Sequence, residues 1–187
     1  MTTAVPMPLA AQLAACSADM AALAGGLTEA QGRWRPGPGR WSVAECLAHL
    51  AATARQYQPG LDRAAATARE RGRRATGPFR PGWLAGRLVA AMEPGGGARM
   101  RTTAALTPPA EVTLADAARE FRRAQDALTA TLAAVDGLDL GSATLRSPVL
   151  PVLRLSLGTA CAVLAAHERH HLAQARRVVE EPGFPTA

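Results

Sequence analysis

Three of the chain's four histidines fall within residues 160–178, and two of them, His167 and His171, stand four apart. On a helix that spacing places two imidazoles on one face, one turn above the other. At about 100° per residue, Ala160, Val163, Leu164, His167, His171, Gln174 and Val178 share one sector. The pair therefore continues an apolar, inward-facing stripe. Neutral imidazoles facing a core need either hydrogen-bond partners or a metal ion. Gln174 suits both arrangements, as a partner for a ligating ring or as a hydrogen bonder in the core. His170 points about 80° from the mean direction of the pair and reads as a supporting or surface residue. Arg169 points about 180° away, which assigns it to the surface or to a dimer contact.

The fourth histidine, His49, belongs to a different helix, whose start is sharply marked. Ser42 followed by Glu45 is a capping box, in which hydroxyl and carboxylate each satisfy a free backbone N–H. Trp41, just before the cap, is placed to pack on Cys46 as a hydrophobic staple. Val43, Cys46, Leu47, Leu50, Ala54 and Tyr57 form the apolar face, and His49 lies at its flank with Glu45, Thr53 and Gln56. Three imidazoles from two facing helices, plus one open position, describe a catalytic zinc-type site; nickel and iron also accept three nitrogens. The alternative is a set of structural histidines bridging buried polar groups. Glu45 has the chemistry of a general base, but its capping role already accounts for it.

These residues need long helices to position them. Leu9, Leu13, Cys16, Met20 and Leu23 mark a first helix over residues 8–24, ended by Gly25-Gly26. Residues 31–40 are rich in Gly and Pro and read as a loop. The helix from Ser42 is expected to weaken or end at Pro59-Gly60, with a short arginine-rich helix over 61–74 and a loop over 75–82. Trp83 to Met92 reads as a short amphipathic helix, and Pro94 to Pro109 as loop. Thr113 with Asp116 caps a further long helix ending at Asp136-Gly137. Residues 137–155 read as an irregular connection, and Ser156 caps the last helix, which runs to about Glu180. The sum is four long helices with an irregular insertion between the second and third: an all-α four-helix bundle, of up-down or crossover topology, in a single domain over residues 1–187.

Composition agrees. Hydrophobic residues make up 48% of the 187, but aromatics only 4%, so strand-favouring residues are scarce. All 21 basic residues are arginine and the net charge is +6. That charge is spread along the chain without interleaved aromatics, which excludes a nucleic-acid reading and suits solubility. The densest run, Arg69 to Arg74, reads as a solvated helix end. Cys16, Cys46 and Cys161 are odd in number and lie in apolar helical patterns, as buried reduced thiols of a cytoplasmic protein do. Neither a signal peptide nor a transmembrane span is expected.

Two motifs extend the argument. Trp41-Ser42-x-x-Glu45-x-x-x-His49-Leu50 early in the chain, and His167-Glu168-Arg169-His170-His171-Leu172-x-Gln174 near its end, resemble the DinB/YfiT-like superfamily of metal-binding four-helix bundles. The resemblance spans Leu9 to Val179. It implies that one divalent ion (zinc, nickel or iron) is held by His49, His167 and His171, the positions matching the family's ligands. It also implies a small-molecule partner, an enzyme that uses mycothiol, bacillithiol or glutathione in S-transfer or a related thiol-dependent reaction, and homodimerisation. A metal-dependent hydrolase with water as the nucleophile, or a non-enzymatic bundle with structural histidines, are the competing readings.

Overall fold

The computed structural model describes residues 7–96 and 103–186. Its architecture is the all-α bundle, built from six α-helices among those residues. Helix α1 spans Leu9–Gly25, α2 Glu29–Arg33, α3 Val43–Arg71, α4 Trp83–Met92, α5 Leu114–Ala133 and α6 Leu157–Val179. Strands β1 (Thr144–Arg146) and β2 (Arg154–Ser156) form a small antiparallel hairpin, with Leu145 opposite Leu155. None of the described helices is long and apolar enough to cross a membrane.

The long helices pair as α1 with α6, α6 with α3, α3 with α5, and α5 with α1. Chain neighbours α1 and α3 therefore sit on one diagonal and α5 and α6 on the other. This is the crossover arrangement, not the up-down one. Small buried side chains, among them Ala44, Ala51, Ala117, Ala165 and Ala175, let the backbones approach closely. The apolar interior divides into two clusters along the bundle. One gathers Leu13, Tyr57, Leu61, Leu128 and Leu164; the other gathers Met20, Leu47, Phe121, Leu172 and Val178. His49, His167 and His171 occupy the levels of α3 and α6 where these clusters meet.

Local signals set the helix ends. Ser42 Oγ accepts from the Glu45 N–H and the Glu45 carboxylate accepts from the Ser42 N–H at 2.9 Å, completing the capping box. Thr113 and Ser156 cap α5 and α6 by accepting the N–H of Asp116 and Thr159. Three sequence expectations are corrected. Within the expected loop of residues 31–40, α2 begins one turn earlier under a second capping box, Thr28 with Gln31. The helix from Ser42 does not end at Pro59-Gly60: α3 runs through both to Gly72, whose φ of 60° closes it in the left-handed conformation. Proline removes an N–H and crowds the preceding turn, but Leu61, Ala64, Ala65 and Ala68 beyond it are buried in the core and hold the helix together. Gly60 lets α3 approach the hairpin closely, since a Cβ there would stand 3.0 Å from the Leu145 side chain on β1 and push it aside by a few tenths of an ångström. Last, the irregular connection over 137–155 contains the hairpin. Residues 97–102 of the expected loop at 94–109 lie outside the described residues; within the rest, Ala104–Leu106 form a 3-10 turn.

The insertion between α3 and α5 packs back onto the bundle. Helix α4 lies against α6, and Arg169 ties them. Its guanidinium makes a bidentate pair with Glu93 just beyond α4 and a further bond to Gln12 of α1 at 3.0 Å. Arg169, expected at the surface or in a dimer contact, is partly buried and forms an intramolecular clamp.

Candidate metal centre

His49 sits two turns into α3, and His167 and His171 one turn apart in the middle of α6, which packs beside α3. The helix pairing brings the three rings together across 118 residues of chain. His49 Nε2 lies 3.2 Å from His167 Nε2, and one potential ligand nitrogen from each of the three residues falls within 4.8 Å of the others. Ring centroids are 4.5–5.1 Å apart within the trio. Two nitrogens bound to one tetrahedral zinc at 2.0–2.1 Å stand about 3.3 Å apart, so the His49–His167 spacing suits a shared ion.

The surroundings decide which nitrogen of each ring is available. The Leu106 carbonyl, on the 3-10 turn, accepts the His49 Nδ1–H at 2.9 Å. The Gln174 Oε1 accepts the His171 Nδ1–H at 2.9 Å. Both rings are thereby held in the tautomer whose Nε2 carries a lone pair. His167 Nδ1 is buried without a hydrogen-bond partner among the described residues. Trp41 packs over the site, its ring 4.9 Å from that of His49 and 5.7 Å from that of His171. His170, partly exposed, stands beside His171 at 5.0 Å and reaches the Glu93 carbonyl with Nδ1 at 3.4 Å.

Electrostatics keep the trio uncharged. Burial, then the neighbouring His49 and His170, pushes His167 down to about 3. Burial, then His167 and His49, pushes His171 down to about 2. Burial lowers His49 too, partly opposed by its bond to Leu106. Three neutral imidazoles, each with one nitrogen within 4.8 Å of the others, form a donor set that could hold a divalent cation.

Other reactive groups are committed elsewhere. Both Glu45 oxygens are bonded to Arg35, at 2.8 and 2.7 Å, besides capping α3. Burial raises its pKa, but Arg35 and the Ser42 N–H outweigh that and leave it lowered; a fully paired carboxylate is a poor base. Burial drives all three cysteine thiols up to about 12, so none supplies a thiolate at neutral pH.

A cavity of about 160 Å³ opens beside the histidines. One wall is α3, where His49, Thr53 and Tyr57 follow at steps of four; another is α6 around Val163, His167 and His171. Helix α4, the 3-10 turn and the hairpin close the remaining sides. Sequence reasoning brought the three histidines to one site but missed several of its parts. Trp41, read as a staple, is a ring neighbour of the site as well. Leu106 contributes only a backbone carbonyl, which leaves no mark in residue type. Ser147 fell within a stretch read as irregular.

The model of the DinB superfamily matches residues 12–175. The chain belongs to the DinB superfamily. No curated protein matches it, and no solved structure does. Within a DinB-superfamily bundle, the group of His49, His167 and His171 could hold a metal ion, and the crossover pairing of α3 and α6 is what assembles it.

Proposed function

We propose that this DinB-superfamily chain acts as a single-domain, divalent-metal-dependent enzyme that joins a low-molecular-weight thiol through its sulfur to an electrophilic carbon, the thiol proton passing to solvent and the carbon's leaving group departing with its bonding pair. The thiol is mycothiol, bacillithiol or glutathione, and the ion zinc, nickel or iron. The observation that supports the reading is the gathering of three neutral imidazoles, each with one nitrogen within 4.8 Å of the others, two of them oriented through Nδ1 by Leu106 and Gln174. An ion bound there supplies a Lewis acid that lowers the pKa of a thiol brought to its open side. His49, His167 and His171 serve as ligands. Trp41 covers two of the rings and limits water, and the adjoining cavity receives the electrophile. The buried cysteines, held as thiols, support a sulfur nucleophile that comes from outside the chain.

The test is elemental analysis of untagged protein with and without His167→Ala. About one zinc, nickel or iron per chain in the wild type, lost in the variant with helicity kept, is expected. Absence of metal in the wild type, and no uptake on adding divalent ions, overturns the reading. With the site established, consumption of an electrophile only when a thiol is present supports transfer; hydrolysis of esters or amides without thiol replaces it by the hydrolase.

A further inference from the structure

The cavity beside the histidines is shaped for more than a thiol. On α3 its wall runs from His49 through Thr53 to Tyr57. Eight residues of helix cover about 12 Å, so the cavity is elongated along the bundle. Its sides are apolar: Leu88 and Met92 from α4, Leu153 and Leu155 from the hairpin, Val163 and Leu164 from α6. No acidic or arginine side chain lines it among the described residues. Thr53 is occupied within its own helix, its hydroxyl donating to the His49 carbonyl at 2.9 Å.

At the end away from His49 lies a buried hydroxyl pair. Tyr57 Oη and Ser147 Oγ are 2.9 Å apart, Tyr57 is 5% exposed and Ser147 3%. Ser147 Oγ also accepts the Leu150 N–H at 3.1 Å. Two hydroxyls carry two hydrogens, and the bond between them uses one. Neither oxygen has another acceptor within reach among the described residues, so whichever hydroxyl donates to the other, one O–H stays uncommitted at the cavity wall. A buried donor without an acceptor is costly, and a ligand that brings an acceptor removes that cost.

We propose that this cavity takes the carbon skeleton of an uncharged, elongated organic substrate of about ten non-hydrogen atoms, whose carbonyl-type oxygen accepts the free O–H of the Tyr57–Ser147 pair. The apolar walls favour the skeleton by burial. A carboxylate in the same place would lose its hydration and gain one neutral hydrogen bond, so charged analogues are rejected. The identity of this ligand as a substrate rests on the transferase reading; the cavity's preference does not.

Calorimetric titration with octan-2-one as the probe, on both metal-loaded and metal-stripped full-length chain, tests it. Saturable ketone binding is expected in both, with octanoate at least tenfold weaker in the metal-stripped chain, where no cation can hold its carboxylate. The double variant Tyr57→Phe/Ser147→Ala, which removes both hydroxyls, weakens the ketone about fivefold to tenfold. Leu153→Trp, on the hairpin, fills the cavity and weakens it at least tenfold. Circular dichroism and metal content identify any variant that has lost its fold. Octanoate binding to metal-stripped protein as well as the ketone does, or unchanged ketone binding by folded Leu153→Trp, overturns the inference. Metal-loaded protein that binds no ketone overturns it alone. Protein that binds ketone but never binds metal overturns the transferase reading and leaves the cavity's preference standing.

Discussion

Without metal, the imidazole cluster makes the fold sensitive to acid, and single substitutions separate the groups responsible. His167 titrates at about 3 in the native state because of burial and its histidine neighbours, against an ordinary 6.5. Between those values the unfolded chain binds a proton that the native chain does not. Stability is therefore full above pH 6.5 and falls as the pH drops towards 3. Going from pH 7 to 4.5 costs roughly 2 to 3 kcal/mol through His167 by this linkage. His171, at about 2 from the same causes, acts in the same direction, and the two lose less than their sum because they titrate as a coupled group. Glu168 opposes them. Burial lifts its carboxyl to about 7 in spite of the bond from Gln125, so the native state takes up that proton first. The same acidification then adds roughly 2 to 3 kcal/mol of stability. The wild-type profile mixes both signs, and the differences between variants isolate them. The assay is urea unfolding followed by far-UV circular dichroism at pH 7 and 4.5 in the presence of chelator. His167→Asn should retain roughly 2 to 3 kcal/mol more of its stability at pH 4.5 than the wild type does. Glu168→Gln should retain less than the wild type by a similar amount. Parallel pH dependences for wild type and His167→Asn would refute a buried neutral His167.

Further outcomes follow from particular contacts. Gln174→Leu removes the acceptor of His171 Nδ1 and should weaken metal binding 10- to 100-fold in a chelator competition, with helicity unchanged; equal affinity would mean that Gln174 does not orient the ring. Pro59 is exposed within the continuous α3, and Pro59→Ala restores an N–H, so urea unfolding should show a gain of about 1–3 kcal/mol; a loss would mean that proline is required there. Cys16, Cys46 and Cys161 are buried with thiols raised to about 12. Mass spectrometry after iodoacetamide at pH 7.5 should find them unmodified in native protein and alkylated in urea, and rapid native labelling would show an accessible thiol.

The features legible in the sequence are those whose cause is local. The capping boxes and caps at Ser42, Thr113 and Ser156 depend on side chains within three residues of the N–H they satisfy. That His167 and His171 share one face of their helix follows from helical geometry alone. The four long helices were likewise readable from apolar periodicity, because each buries one stripe. Tertiary packing decided the rest. Periodicity left His49 at the flank of its stripe, yet it is 4% exposed, because α6 and the Leu106 turn cover that flank. Pro59 is a helix breaker by local rules, and α3 continues through it because the apolar residues beyond have a core to enter. Arg169 faces away from the histidines, as its angle requires, but Glu93 arrives on that side from an insertion 76 residues earlier. The histidine cluster itself needs His49 and His167, 118 residues apart, on adjacent helices. Residue types named the donors; only the crossover pairing of α3 with α6 set their nitrogens at the spacing of a shared ion, since the free energy that holds them there comes from burying the bundle's core and not from any contact local to the histidines.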